Sequence, residues 1–481
     1  MSKNNTINNI SELITNIEKN LLKSRLKIVS ILMKKYNLKM TAARQMEEKI
    51  HVSVRTEMME KYRFKEPLYT GIELGKKDKP YLELMNEYPD FVDWAFTALT
   101  VPFYQSLGDT IGYKNGDREF NEGQKNVTPE YTNDLIYDFI SLGGINDLSL
   151  VNWIASDDTI LYMATLQTLG EKLHNIPEFG KKIRQAYLDA APLIENRYPG
   201  GTTMESLKKQ SNIKWDKLQY DSSHKGNGSA MRSGCIGIFF PGKHNRKKLI
   251  ALAVESSRIT HNSAIAILGS ITSALFTAYA LERIPINHWP HKLIKLLESK
   301  KIDEYMQKSR PAEYKLYAQD KILFTGQWQL YVNKRFSGLK PKLDLKIMRH
   351  PVMRFKYLSD NFSKGCGTVG GCADDCVIMA YDALLESGNV IEKLIIYAIL
   401  HPGDSDTVGS VALSWYGALY HSVRNQRLLS DRFDELEFHD DLYDFVENNF
   451  NRMAKRYYYD IYLSTARKYL RLLNKYHSSI F

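Results

Sequence analysis

The chain has 481 residues, 43% of them hydrophobic and 11% aromatic, and carries a formal net charge of +10 at pH 7. That balance excludes a disordered or fibrous chain and allows one large domain with a smaller one beside it. Four cysteines exclude a disulfide-dense scaffold. The start, "MSKNNTINNISELITNIEKN", lacks the apolar core of a signal segment, so the expectation is an intracellular, cytoplasmic protein without membrane contact.

Residues 1–20 are polar and rich in Asn, and a helical pattern covers residues 21–62. Within it, residues 21–40 hold six basic side chains and no acidic one. This stretch is either a contact surface for nucleic acid or an acidic partner, or the solvated face of a helix. The Pro and Gly residues of "KEPLYTGIELGKKDKP" break the periodicity, which places a domain boundary near residue 92. The expected layout is a basic helical extension over residues 1–92 and a catalytic domain over residues 93–481.

From there apolar segments with helical spacing recur at residues 156–172, 247–282, 374–387, 391–400 and 406–421. Residues 285–350 are rich in Lys, Pro and Tyr and read as a helical or irregular insertion. Alternating strand patterns are scarce, so the fold class is all-α: a compact multi-helix domain without a βαβ rhythm.

The first stretch with chemical character is "LGDTIGYKNGDREF" (residues 107–120). It places Gly108, Gly112 and Gly116 ahead of Glu119, and reads as loop chemistry that brings backbone close to a ligand. "ASDDT" opens an apolar segment with Asp157 and Asp158, and "GDSDT" opens another with Asp404 and Asp406. Ser156 as an N-cap, with two acids in the first helical turn, explains the first doublet by itself. Four converging carboxylates would repel one another, and a divalent cation resolves that conflict. All-oxygen donors, including the Ser156 and Thr407 hydroxyls, suit Mg2+ or Mn2+. "GNGSAMRSGCIGIFFP" could offer backbone N–H groups to a diphosphate, and His261 enters a helix of small residues. In "CGTVGGCADDC", Cys366, Cys372 and Cys376 have five and three intervening residues and no CxxC pair. That spacing fits zinc poorly, and reduced, unpaired thiols are expected.

The ordered set GDxxGYxNGxxEF, SDDT, GxGxAMRxxCIG, ESxRxTH with SALFTAYA, MAYDA and GDSDT resembles the ADP-ribosylglycohydrolase family, and most closely its ADP-ribosylarginine hydrolase branch, over about residues 95–425. The resemblance implies an all-α fold with two Mg2+ ions at the base of a cleft. It also implies hydrolytic release of ADP-ribose from a mono-ADP-ribosylated protein. The implied metal ligands are Ser156, Asp157, Asp158, Asp404, Asp406 and Thr407. Glu119 would be an acidic residue near the metals, and Gly226, Gly228, Ser229 and Met231 would line the diphosphate and ribose part of the cleft. His261 and Asp375 would lie close to the ligand.

Cleavage at ribose C1 passes through an oxocarbenium-like transition state, with Glu119 or an aspartate among Asp157, Asp158 and Asp404 as base. The seven-residue step from Gly112 to Glu119 matches the arginine-directed branch. An acid such as Asp117, Glu119 or Asp375 could pair with the guanidinium. Other linkages within the family, namely serine, poly(ADP-ribose) and O-acetyl-ADP-ribose, stay open, as does an inactive module that only binds ADP-ribose.

Overall fold

The computed structural model describes residues 29–30, 32–34, 38–49, 89–118, 128–342, 346–363, 365–421, 423–446 and 448–449. Glu119 and residues 21–28 of the basic stretch lie outside them. The chain groups into two compact units: Thr100–Tyr443 is one, and Met1–Leu99 with Asp444–Phe481 is the other. Thr100–Tyr443 carries both acidic doublets and the helices packed around them.

The fold is helical, as the periodicity implies. Among the described residues the only strands are the two-residue pair Phe336–Ser337 and Lys340–Pro341, antiparallel with Phe336 opposite Pro341. The helices that build the site are α1 (Pro89–Tyr113), α2 (Asp157–Gly170), α3 (Arg246–Arg258), α4 (Ala264–Leu281), α5 (Tyr314–Arg335), α6 (Ala373–Ser387) and α7 (Ser405–Tyr420).

Helix α4 is the centre. Ser263 caps it by accepting the Ala266 N–H, and all 18 of its residues are buried. Its mean hydropathy of 1.8 would suit a membrane span, but here the apolar surface is covered by α3, α5, α6 and α7. Burying each large apolar side chain contributes about 1.5–3 kcal/mol, which is what draws the helices around α4. Close approach is made by small residues: a Cβ on Gly269 would lie 2.6 Å from the Ala373 Cβ. The insertion over residues 285–350 is mainly helical, and α5 locks onto α6 through Arg335 and Tyr331, each 2.6 Å from the buried Asp382 carboxylate.

The apolar segment 247–282 folds as two helices. It breaks between α3 and α4 because the carbonyls of Ile259, Thr260 and His261 turn to side-chain donors on Gln210, Ser206 and Ser257. His261 sits at that bend. In addition, Gly108 and Gly112 are helical and approach another helix instead of forming a ligand loop. A Cβ on Gly108 would fall 2.4 Å from the Gly409 carbonyl oxygen, and one on Gly112 would fall 2.5 Å from the Asp406 Cα. Their missing side chains let α1 press directly against the start of α7.

Candidate active site

Both acidic doublets begin helices that start from capping residues. Ser156 is extended, and its Oγ accepts the Asp158 N–H at 3.1 Å, which starts α2. Asp404 caps α7, accepting the Thr407 N–H at 3.3 Å. The two helix starts meet. Thr407 Oγ1 donates to Asp158 Oδ1 at 3.3 Å, and Ser410 Oγ donates to Asp158 Oδ2 at 2.8 Å.

A fifth carboxylate supports them from behind. Asp109 on α1 accepts the Ser156 N–H at 3.1 and 3.2 Å and the Thr159 N–H at 3.0 Å. Asn227 holds the other side: its Nδ2 donates at 2.8 Å both to Asp404 Oδ2 and to the Gly370 carbonyl. Sequence reasoning did not single out Asp109, Asn227 or Ser410. Asp109 and Asn227 lie inside quoted motifs, so the signal was present, but nothing in spacing marks a residue as a support for ligands on another helix.

All five carboxylates are at most 5% exposed. Burial, followed by the charge of Asp406, raises Asp109 to about 7. Burial pushes Asp157 and Asp158 well up, and the Asp406 and Asp109 charges add to it. Burial and then Asp404 do the same to Asp406. Burial also raises Asp404, against the hydrogen bonds it accepts. Such a set is electrostatically unbalanced without protons or a cation, and its carboxylate and hydroxyl oxygens fit a hard divalent ion. Among the described residues no three His, Cys, Asp or Glu side chains converge as a ready-made ion cage. The match to a cation therefore rests on donor chemistry and charge.

Asp157, Asp158, Asp404 and Asp406 form the floor of a cleft of about 390 Å3. Of the expected residues, Asp157, Asp158, Asp404, Asp406, Thr407, Gly226, Gly228, Met231 and His261 line it. Ser156 lies behind the floor, fully buried. Two expected residues point elsewhere. The Ser229 hydroxyl donates to the Ala266 carbonyl. Asp375 accepts from the Ser363 hydroxyl and from the Gly370 and Cys372 N–H groups, so it braces a loop and caps α6. Tyr198, Thr202, Thr203 and Ser223 also line the cleft, contributed by segments that carried no sequence signal.

His261 is held closely. A Cβ on Gly228 would lie 2.8 Å from its ring, and one on Gly226 would lie 3.1 Å from Nε2. Its Nδ1 is 2.8 Å from Thr260 Oγ1, which also receives a hydrogen bond from Arg232 at 2.7 Å. Arginine only donates, but a hydroxyl oxygen accepts twice, so Thr260 takes the Arg232 hydrogen and can still either donate to Nδ1 or accept from it; Nε2 is the edge beside Gly226. Burial, then the Arg232 charge, holds the imidazole well below its ordinary value and keeps it neutral.

The expectation of unpaired thiols is corrected for one pair. Cys366 and Cys372 form a disulfide with Cα atoms 5.4 Å apart, whereas Cys235 and Cys376 are free and buried. Gly367 (φ 81°) and Gly370 (φ 88°) reverse the chain tightly enough to bring the two together. Cys366 lines the cleft.

Residues 105–458 match the model of the family described as ADP-ribosylglycohydrolase. The chain is 53% identical over 441 residues to L444 of Acanthamoeba polyphaga mimivirus, a protein named as an ADP-ribosyl glycohydrolase; the match covers 90% of this chain and 84% of that protein. It is 32% identical over 340 residues to ADP-ribosylhydrolase ARH1 of Dictyostelium discoideum, covering 66% of this chain and 84% of its relative. A solved chain of an ADP-ribosylglycohydrolase-related protein complex is 18% identical, with a TM-score of 0.45, covering 75% of this chain and 99% of that one.

Proposed function

This chain belongs to the ADP-ribosylglycohydrolase family, a family of hydrolases that release ADP-ribose from ADP-ribosylated substrates, and from that premise we propose that it cleaves the N-glycosidic bond between ribose C1 and a modified arginine. The observation that carries the reading is the junction of the two acidic helix starts, Thr407 to Asp158 at 3.3 Å, on the floor of a cleft sized for a small ligand. Two Mg2+ ions, or Mn2+, held by Ser156, Asp157, Asp158, Asp404, Asp406 and Thr407, would supply charge neutralisation and Lewis-acid polarisation of ribose oxygens.

The protein's own groups divide the remaining work. The floor carboxylates face the site where positive charge grows at C1 and stabilise the oxocarbenium-like transition state. Asp109 and Asn227 fix two of the helix starts so that those carboxylates need not reorganise during reaction. The neutral His261 ring turns its Nε2 edge beside Gly226 on the cleft wall, where the Nε2–H tautomer would donate to a diphosphate or ribose oxygen. Water takes the second face of C1, with a floor aspartate or Glu119 as the base.

Arginine linkage is favoured by charge. A ribosylated guanidinium leaves as neutral guanidine, whereas a serine oxygen must be protonated as it departs. An acidic cleft also draws the cationic group inward. Asp375, turned into its loop, no longer qualifies as the guanidinium partner, which leaves Asp117 and Glu119. Incubating the full chain and Mg2+ with a mono-ADP-ribosylated arginine peptide, with and without chelator, tests the reading. Chelator-sensitive release of ADP-ribose is expected, and intact peptide in both conditions would reject it.

A further inference from the structure

The loop over residues 365–372 joins the cleft rim to its floor. Its second half is pinned from below: Val369 O accepts the Asp404 N–H at 2.8 Å, and Gly371 O accepts the Asn227 N–H at 3.0 Å. Asn227 Nδ2 reaches Gly370 O as well as Asp404. Cys372 ends this half and caps α6, its sulfur accepting the Asp375 N–H. The first half, with Gly365, Cys366 and Thr368, forms part of the cleft wall. One covalent bond, Cys366 to Cys372, ties that wall to the pinned half.

We propose that the Cys366–Cys372 pair is a thiol–disulfide site that sets the affinity of the cleft for ADP-ribose: closed, it holds the wall in its binding position; opened by a dithiol reductant, it releases it. The proposal rests on the reading of this cleft as an ADP-ribose site. Placement is the reason. Cys366 is half-exposed and open to a reductant, whereas Cys372 is buried at a helix N-terminus. The other two thiols, Cys235 and Cys376, are fully buried, so exchange has one entry point.

The exchange balances. A thiolate of the reductant attacks Cys366 Sγ, and the S–S electron pair leaves on the Cys372 sulfur, where the Asp375 N–H receives it. The reductant's second thiolate then attacks the mixed disulfide and expels Cys366. The two reductant protons end on Cys366 and Cys372, and the reductant ends as its own disulfide. The protein gains two electrons.

The consequence for binding is a matter of order. With the bond closed, the wall is already in place when ligand arrives; with it open, the ligand must order the wall, and affinity falls about ten-fold. The Val369 contact to Asp404 belongs to the pinned half and is not severed with the disulfide, so the loss falls on the wall.

The test is calorimetric titration of the full chain, in Mg2+, with ADP-ribose, before and after dithiothreitol and again after reoxidation. Thiol labelling with peptide mapping accompanies each state. Expected are two new thiols, mapped to Cys366 and Cys372, with about ten-fold weaker binding that reoxidation restores. Cys366→Ser should show the weak value regardless of reductant. Unchanged affinity with both thiols labelled, or four free thiols in the oxidised protein, would overturn the proposal and leave the hydrolase reading standing. No ADP-ribose binding in either state would overturn the hydrolase reading, and this proposal with it.

Discussion

Thr407 donates its hydroxyl hydrogen to Asp158 at 3.3 Å, joining residues 249 positions apart. The two acidic doublets are therefore parts of one structure. Each keeps its helix cap, and the two helix starts meet through Asp158 in a buried, electrostatically strained floor.

Replacing either half should remove activity. Asp158→Asn loses a charge and turns an amide donor towards Thr407 and Ser410, which themselves donate. Asp404→Asn loses its charge beside Asn227. For both we expect turnover at limiting Mg2+ to fall by about a hundred-fold or more. Steady-state release of ADP-ribose by folded variants checks this; near-wild-type rates would count against a shared floor.

Asp109 acts through others. Asp109→Asn keeps one oxygen that can serve Ser156 and Thr159, but it removes a charge behind the floor and sets an amide donor against the Ser156 N–H in place of Oδ1, so Mg2+ affinity or kcat should drop by roughly 10- to 100-fold. KM for the ADP-ribosylated peptide should move little. The kcat and KM values, measured across a Mg2+ titration, separate this from simple loss of folding.

Glycine replacements should differ in sign by position. Gly112→Ala puts a Cβ 2.5 Å from the Asp406 backbone and should destabilise by about 1–3 kcal/mol. Gly326→Ala, exposed in α5 with nothing within 4 Å of the new Cβ, should stabilise by about 0.5–1 kcal/mol. Urea unfolding midpoints measure both.

Much of this was legible in the sequence and some was not. Helical periodicity gave α2, α4, α6 and α7, and the doublets marked the floor because unpaired acids at the head of apolar segments need a reason. The bend at Ile259 to Ser263 was hidden, since it depends on donors from Gln210 and Ser206 far away in the chain. Asp375 looked like a site acid, but its environment, the Gly370 and Cys372 N–H groups with the Ser363 hydroxyl, exists only once the loop is folded. The Cys366–Cys372 bond required two glycines at positive φ that residue spacing does not reveal.

Stability should depend on pH and cation together. Asp109 titrates near 7 in the folded chain against an ordinary 3.8, and Asp157, Asp158 and Asp406 are raised too. Between those values the unfolded chain has lost the proton that the folded one keeps. Stability without divalent ions therefore falls as pH rises from about 4 to about 7, and then levels off for Asp109. Mg2+ competes with the protons, so its stabilising effect should grow with pH, by roughly 5 °C in Tm between about pH 5.5 and about pH 8. Thermal scans with Mg2+ and with chelator provide the comparison.

The most direct test is the ratio of kcat/KM on matched peptides carrying ADP-ribose on arginine or on serine, measured in Mg2+ and again in chelator. Release from arginine should exceed release from serine by about ten-fold or more and disappear in chelator. Equal or faster release from serine would contradict the arginine assignment, and release undiminished by chelator would contradict the cation-dependent floor.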